Sequence, residues 1–476
     1  MATISTAFNI ATGALDADQE ALNIVANNTA NASTPGYTLE MPTWQQNDSI
    51  SLNGMNVGTG VTLTGAQSQR SLVLDKAVQQ QTQTQSASSA RLTALDQMQA
   101  LFSGASSAGT DTNASSGIGS DLNNLFSALS SLEGGASNDA YRESVLSAAG
   151  TLASDFNSSA SQLESQRDSL DQQGISVVGQ ANKLLQNVAQ LNQQIETTSP
   201  NADAGTLEDQ RQQDLTSLSQ LMGIRTATTE NNGLTVTTTG GALLVSEGQA
   251  FQVTSGESNG VTHFYDSQGT DITPDLTAGG GELGGILTAR DQDIPTAESA
   301  LDQLAYTVAS QLNTQNEAGS DLNGNAGTAI FSLPENATAA DPAGSAAGIS
   351  VTMTDPALIA AAAAGQGSSD NTNATAMANI ADQAVVNGTT PTQYFSDFVT
   401  TLGSLVTEVS GDNTAQQASL TQLQNQIGSL SGVNLNDEAS QLETLEQSYQ
   451  AASKLFTSLD QVMVSALNLG VETTYS

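Results

Sequence analysis

Cysteine is absent from the 476 residues, and His263 is the only histidine. Without cysteine there is no disulfide framework, no thiolate zinc site and no cysteine nucleophile. Basic residues are also scarce: 10 Lys and Arg stand against 48 Asp and Glu, a formal net charge of −38. A surface that acidic repels phosphate, which argues against a nucleic-acid partner and against anionic membrane surfaces. Charged residues of either sign make up only 12% of the chain, about half the usual quarter. The surface must therefore be built from Ser, Thr, Asn and Gln. Long apolar runs are missing as well. The longest, Ala357 to Ala364, is far short of the roughly 20 residues of a spanning helix, so no membrane insertion is expected. No cation precedes Arg70, and Thr3, Ser5, Thr6 and Asn9 interrupt the opening residues. A cleaved signal peptide is not expected from such a start.

What remains is enough for a core. The apolar set is 38%, and 42 glycines bring the chain to the globular norm. At about 150 residues per domain the length suggests roughly three domains.

Hydrophobic spacing organises the chain. Ile4, Phe8, Ala11, Leu15, Leu22 and Val25 fall at steps of four and three, with Asp18 the one polar interruption. That is a helical stripe, and it stops at Asn27 to Asn31. In Thr34-Pro35-Gly36-Tyr37, proline fixes one φ and glycine supplies a positive one. The spacing thus predicts a helix stop, a turn and an extended segment through about Leu63. A second helix is predicted over 71–102, followed by a Ser/Gly/Ala/Thr-rich loop, 103–119. Phe156, Leu163, Leu170, Val177, Leu184 and Leu191 then recur every seven residues, with Ala181, Val188 and Ile195 between them, a seam of coiled-coil type. A further helix covers 206–222. Period two takes over from Thr226 to Thr277, with a two-residue turn at Gly240-Gly241 and strands at Leu234/Val236, Phe251/Val253 and Val261 to Tyr265. Helices return over about 284–317 and 391–427. At the other end Leu442, Leu445, Tyr449, Ala452, Phe456, Leu459, Met463 and Ala466 repeat the opening stripe.

The pattern is nested and mainly α with a β-rich insert, a multidomain α+β chain. Residues 1–66 and 433–476 form a terminal helical, coiled-coil-like domain that orders on assembly. Residues 67–225, 281–320 and 366–432 form a long-helix domain. Residues 226–280 and 321–365 form a β-rich variable outer domain.

Chemistry is hard to find. Gly279 to Gly284 matches GxGxxG, but Pro274 to Ala278 before it is not a buried strand, so a loop entering a helix is favoured over a dinucleotide site. Asp321 to Asn325 opens like a calcium loop, yet Ala326 and Ser332 stand where glycine and glutamate belong. It reads as an Asx-rich turn. His263 would have to serve any Ser-His-Asp triad, and no GxSxG serine supports one. It reads as a half-buried strand residue. Asp291 and Asp293 read as a solvated face. No catalytic, cofactor-binding or metal-ligating residue is assigned, and no cofactor. An extracellular enzyme sited in 226–365 would need a nucleophile–base pair or metal cluster that the region does not offer. The terminal stripes are different. They lie where domains usually fray, and each exposes an apolar face seeking a partner.

Leu22-Asn23-Ile24-Val25-Ala26-Asn27-Asn28-Thr29-Ala30-Asn31 with Thr34-Pro35-Gly36-Tyr37 resembles the N-terminal signature of the flagellar rod, hook and hook-associated axial proteins. Gly432 to Ala439 followed by Tyr449-Gln450-Ala451 resembles their C-terminal signature. Interior segments, Ser165 to Leu170, Leu207 to Arg211, Gly284 to Leu287 and Gly319 to Gly324, are similar to the type 1 hook-associated (hook–filament junction) branch. The resemblance implies a structural subunit without enzymatic activity, exported through the flagellar type III apparatus and placed between hook and filament. The alternative within the family is a hook or distal-rod subunit. Implied partners are further copies of the chain, the hook protein, a second hook-associated (adaptor) protein on the filament side, and an export chaperone on the C-terminal helix. The implied assembly residues are Ile4, Phe8, Leu15, Leu22, Val25, Asn27, Asn28, Asn31, Thr34, Pro35, Gly36 and Tyr37, with Leu442, Leu445, Tyr449, Phe456, Leu459 and Met463.

Overall fold

The computed structural model describes residues 2–52, 55–102, 117–199, 203–258 and 260–469. Most of the predicted 103–119 loop and part of the Ser199-Pro200-Asn201 stop lie outside the described residues. Helix α1 (Ala2–Asn31) leads into β1 (Glu40–Gln46), β2 (Ile50–Leu52), β3 (Met55–Val57) and β4 (Val61–Ser68). The extended segment is thus a folded arm: β1 pairs antiparallel with β4, and β2 with β3.

The body is a set of long helices. They are α2 (Leu72–Phe102), α3 (Ile118–Glu133), α4 (Asp139–Thr198) and α5 (Thr206–Leu221). Strands β5 (Ile224–Thr228), β6 (Leu234–Thr238), β7 (Leu243–Ser246) and β8 (Gln249–Ala250) follow as one antiparallel sheet in sequence order, and β9 (Thr254–Ser258) pairs with β10 (Val261–Tyr265). Phe251 and Val253 fall between β8 and β9 rather than in a strand of their own. The Gly240-Gly241 turn is present, closed by Gly241 N–H on Thr238 O at 3.0 Å. Next come α6 (Thr273–Gly279), α7 (Gly281–Thr288), a π-helical turn (Ala289–Asp293) and α8 (Ile294–Glu317). Short pieces fill the region after α8: β11 (Gly319–Ser320), β12 (Phe331–Ser332), α9 (Ser345–Gly348), β13 (Ser350–Val351), β14 (Ala362–Ala363) and α10 (Thr372–Ala378). Helices α11 (Pro391–Ser431) and α12 (Leu435–Leu469) close the chain.

The helix starts have local causes. The Asn138 side chain caps α4 by accepting from Ala140 N–H. Thr390 caps α11, with Pro391 at its first position, where a missing N–H costs nothing. The heptad seam of α4 holds at all but two of its positions. Phe156, Leu163, Leu170, Val177, Ala181, Val188 and Ile195 are buried, but Leu184 and Leu191 are half-buried while Leu185 and Asn192 take the core. A straight helix drifts about 20° per heptad, so five heptads carry the stripe about 100° off its line.

One large core joins α2, α3, α4, α5, α7, α8 and α11. Phe102 meets Phe398 edge-on at 4.9 Å where α2 and α11 pack. The GxGxxG segment is a helix joint rather than an open loop. It joins α6 to α7, and its glycines allow contact: a Cβ on Gly281 would lie 2.5 Å from Met222 Cα at the end of α5. The Asp321 segment is the Asx turn expected, with Oδ1 accepting from Asn323 and Asn325 N–H at 2.9 and 2.7 Å. His263 is half-buried on β10, 2.7 Å from Asp271. Asp291 is exposed, as a solvated face requires, but Asp293 is buried. Asp293 accepts two 2.8 Å bonds from Arg91 of α2. Asp291 holds Arg290, which also reaches Asp171 of α4 and Thr262 O of β10. The π turn carries both, so two ion pairs tie the β10 hairpin and α8 to the helices.

Candidate functional site

The terminal stripes meet each other. Helices α1 and α12 pack against one another and α1 also lies on β4. Phe8 and Phe456 are in ring contact at 4.5 Å. Ala21, Val25 and Leu445 form a small core of their own, flanked by Leu22, Leu63 and Leu442. Leu15, Ile4 and Leu459 are half-buried. Tyr449 and Met463 stay exposed, with Leu435, Leu455, Val462, Val464 and Leu467 beside them on α12. The pair therefore keeps an uncovered apolar surface. Its polar interruption, Asp18, is buried, and Asp18 Oδ2 makes no hydrogen bond.

At the inner end of this pair the chain turns. Asn31 donates to Asn27 O and Oδ1 at 3.0 and 2.7 Å, and Thr34 donates to Asn31. This folds the last turn of α1 onto itself. Tyr37 N–H closes on Thr34 O, with Gly36 at φ +80°. Pro35 and Gly36 hold the two centre positions of the turn, as their chemistry requires.

Asn28 is the hub of the joint and is buried. Its Nδ2 donates to Glu40 O at 2.8 Å and to Glu438 Oε2 of α12 at 3.0 Å. Its Oδ1 accepts from Tyr37 OH at 2.8 Å and Glu40 N–H at 3.1 Å. One amide thus ties α1, the turn, β1 and α12 together, using both its donors and its acceptor fully. Burial, then Glu40, Asp209 and Glu438, raise the Tyr37 phenol above its ordinary range and keep it a neutral donor. Glu40 is also pushed up, by burial, Asp209 and Asp203.

A second set of bonds ties this joint to the body. Thr38 donates its N–H and Oγ1 to Asp209 of α5, at 2.9 and 2.7 Å. Arg70, at the end of β4, also binds Asp209 and lies 3.6 Å from Glu208. Leu39 N–H donates to Ser431 O at 2.8 Å, and Ser431 Oγ donates to Gln69 O at 2.7 Å. So Asn27, Asn28, Asn31, Thr34, Pro35, Gly36 and Tyr37 come together, and the two stripes come together. Thr38, Arg70, Asp75, Asp209, Ser431 and Glu438 complete the joint without having been singled out from sequence. Glu438 and Asp209 sit in first helical turns, where acids are expected for dipole reasons alone. That reading hides their long-range partners.

Comparison with known proteins finds flagellar relatives. A profile described as the flagellar hook-associated protein FlgK helical domain matches residues 95–331. A flagella basal body rod protein profile matches 8–38, the segment of α1 and the turn. The chain is 24% identical to flagellar hook-associated protein 1 of Escherichia coli (strain K12), over 98% of this chain and 100% of that one. It is 26% identical to the Bacillus subtilis (strain 168) protein of the same name, over 96% of each. The Salmonella typhimurium protein of that name is 28% identical over 69% of this chain and 60% of its own. Among solved structures, the flagellar hook junction protein FlgK from Burkholderia pseudomallei superposes with a TM-score of 0.65 at 19% identity, covering 75% of this chain and 100% of that one. That likeness concerns the fold.

Proposed function

The chain belongs to the flagellar hook-associated protein 1 family, and from that premise we propose how it performs the work of a junction subunit. It is a structural subunit of the flagellum at the junction between hook and filament. Its work is assembly rather than catalysis. The terminal unit, 1–66 with 433–476, is the assembling part, and the long helices carry the variable β-rich part outward. Ile4, Phe8, Leu15, Leu22 and Val25, with Leu442, Leu445, Tyr449, Phe456, Leu459 and Met463, supply the contacts between subunits. Asn27 to Tyr37 set the angle between terminal helices and body. The partners are further copies of the chain, the hook protein on one side and an adaptor on the other, with an export chaperone on α12 beforehand. Export runs through the flagellar type III route.

The observation that carries this reading is the exposed face of the α1/α12 pair. Tyr449, Leu455, Val462, Met463 and Leu467 lie open to solvent on a helix already packed along its other side. An apolar face of that extent calls for a protein neighbour, and a head-to-tail contact repeated around an axis makes a ring or tube. The test is deletion of the gene followed by microscopy of the hook tip. Complete hooks that shed filament monomer into the medium are expected. Hooks of altered length with filaments still attached would overturn the junction assignment in favour of a hook or rod subunit.

A further inference from the structure

Resting on the assembly reading above, we propose that the outer face of α11 beyond Asn413 is a lateral contact surface for a second copy of this chain. The two halves of α11 differ. Leu402, Val406 and Val409 of the first half enter the main core, with Phe395, Phe398 and Leu405 packed against it. Beyond Asn413 only Leu420 and Ser431 are buried. Gln416 O and Asn413 Oδ1 accept from Gln81 and Gln85 of α2, at 3.0 and 3.2 Å. On the side away from Leu420, Ala418, Gln422, Asn425 and Ser429 lie exposed at helical spacing. About 30 Å of helix is thus open along its outer side. Its Ser, Thr, Asn and Gly residues are poor helix formers, and packing supplies most of a helix's stability. Such a helix gains from a neighbour on its open side.

Charge selects the occupant. Two copies meet with a net charge of −38 each, so carboxylates brought face to face oppose the contact. From Asn413 to Asn436 no residue is charged, the longest such run in the chain. Helix α2 is likewise uncharged from Ala77 to Ala90, and the two segments pack together. Gln80 and Thr84 of α2 are exposed as well, so the neutral surface spans both helices. A side-chain amide is both donor and acceptor, and so pairs with the amide of an identical copy without a counter-ion. A cationic neighbour finds its gain at carboxylates, which this surface does not carry. The strip therefore fits the neighbour that bears the same negative charge, another copy of the chain.

The strip also runs into the apolar face already given to assembly. Leu430 at its end is 57% exposed, and Leu435 at the start of α12 is 55% exposed. Open apolar side chains thus continue from α12 across the Gly432 turn onto α11. Contact between copies is then shared by an apolar part on the terminal helices and a neutral polar part on the body.

The chain has no cysteine, so Ala418→Cys carries a unique thiol. A maleimide dye should label it in the purified full chain about tenfold faster, or more, than in hooks isolated from cells that produce the variant. Ser154→Cys, exposed on α4, should label at the same rate in both. Gln422→Glu with Asn425→Glu should leave the melting of the purified chain nearly unchanged. It should cut the amount held on hooks about tenfold in low salt, with recovery in high salt as screening removes the repulsion. Benzophenone maleimide on the new thiol, added with the full chain to hooks that lack it, should on irradiation give a product of twice 48.6 kDa. Equal labelling of free and hook-held Ala418→Cys, matching protection of Ser154→Cys, or full assembly of the charge variant in low salt would overturn the surface. A cross-link to a different protein in place of a second copy would overturn the occupant. The labelling stands even if the charge variant folds poorly. It is read on whatever part of the flagellum holds the chain, so it can fail or hold independently of the hook-tip microscopy.

Discussion

Removing the Asn28 amide should release the terminal helices from the body without unfolding the body. Asn28→Ala deletes four hydrogen bonds at once. It strands Glu438, which is 3% exposed, and leaves Tyr37 OH and both backbone groups of Glu40 without their partner. A hydrogen bond to a charged group contributes about 1.5–3 kcal/mol and a neutral one about 1. The dry sum is then about 4–6 kcal/mol. Tyr37 and Glu40 are half-buried, so water recovers part of it, and about 2–4 kcal/mol is the working figure. Opening of the joint would become about 30- to 1,000-fold more frequent. Amide hydrogen exchange should show this as lost protection over the last turns of α1 and the first turns of α12. The core amides of α4 and the melting of the body should stay as they were. Asn28→Asp should do more harm at pH 8 than at pH 5, because it sets a second carboxylate against Glu438. Unchanged protection in Asn28→Ala, or a drop in the body's own melting temperature, would refute the idea that this amide is a joint between two separable parts.

Three further outcomes follow from the same geometry. Replacing Leu445 and Leu459 with Asp should prevent assembly on the hook while leaving the body's melting nearly unchanged, because Leu445 belongs to the small terminal core and not to the main one; burying unpaired charge there is costly, and calorimetry of the monomer with a motility assay checks both halves. Asp75 has its folded pKa raised to about 6 from 3.8. A raised carboxyl gives stability that is full below pH 4 and lost as pH rises through 6, by at most about 3 kcal/mol. Urea melts at pH 4 and 7 should show Asp75→Asn without that loss. Gly285→Ala should destabilise the body, since its Cβ would stand 2.2 Å from Ala87 O of α2 and backbone must move; a cost of about 1–3 kcal/mol in urea melts is expected.

The elements themselves were legible in the sequence wherever a local rule suffices. The stripes of α1 and α12 are read from spacing, because an amphipathic helix must show one face to whatever it packs on. The Thr34 to Tyr37 turn is read from Pro35 and Gly36, because φ restrictions are local. The Asp321 Asx turn follows from one side chain reaching its own backbone. What the chain folds against could not be read in this way. The seam of α4 was legible from Phe156 to Ile195 but slips at Leu184 and Leu191, because helical drift is decided by whether the partner helices supercoil with it. Asp293 looked solvated because its partner, Arg91, is matched to it only by the packing of α2 against the π turn. Gly279 to Gly284 looked like a loop because the backbone they approach belongs to other helices. The joint is the extreme case. Asn28 and Glu438 are 410 residues apart, and Thr38 and Asp209 are 171 apart. No periodicity links such pairs. Only the packing that brings the two chain ends to one place makes Asn28, Arg70, Asp209 and Glu438 a single site.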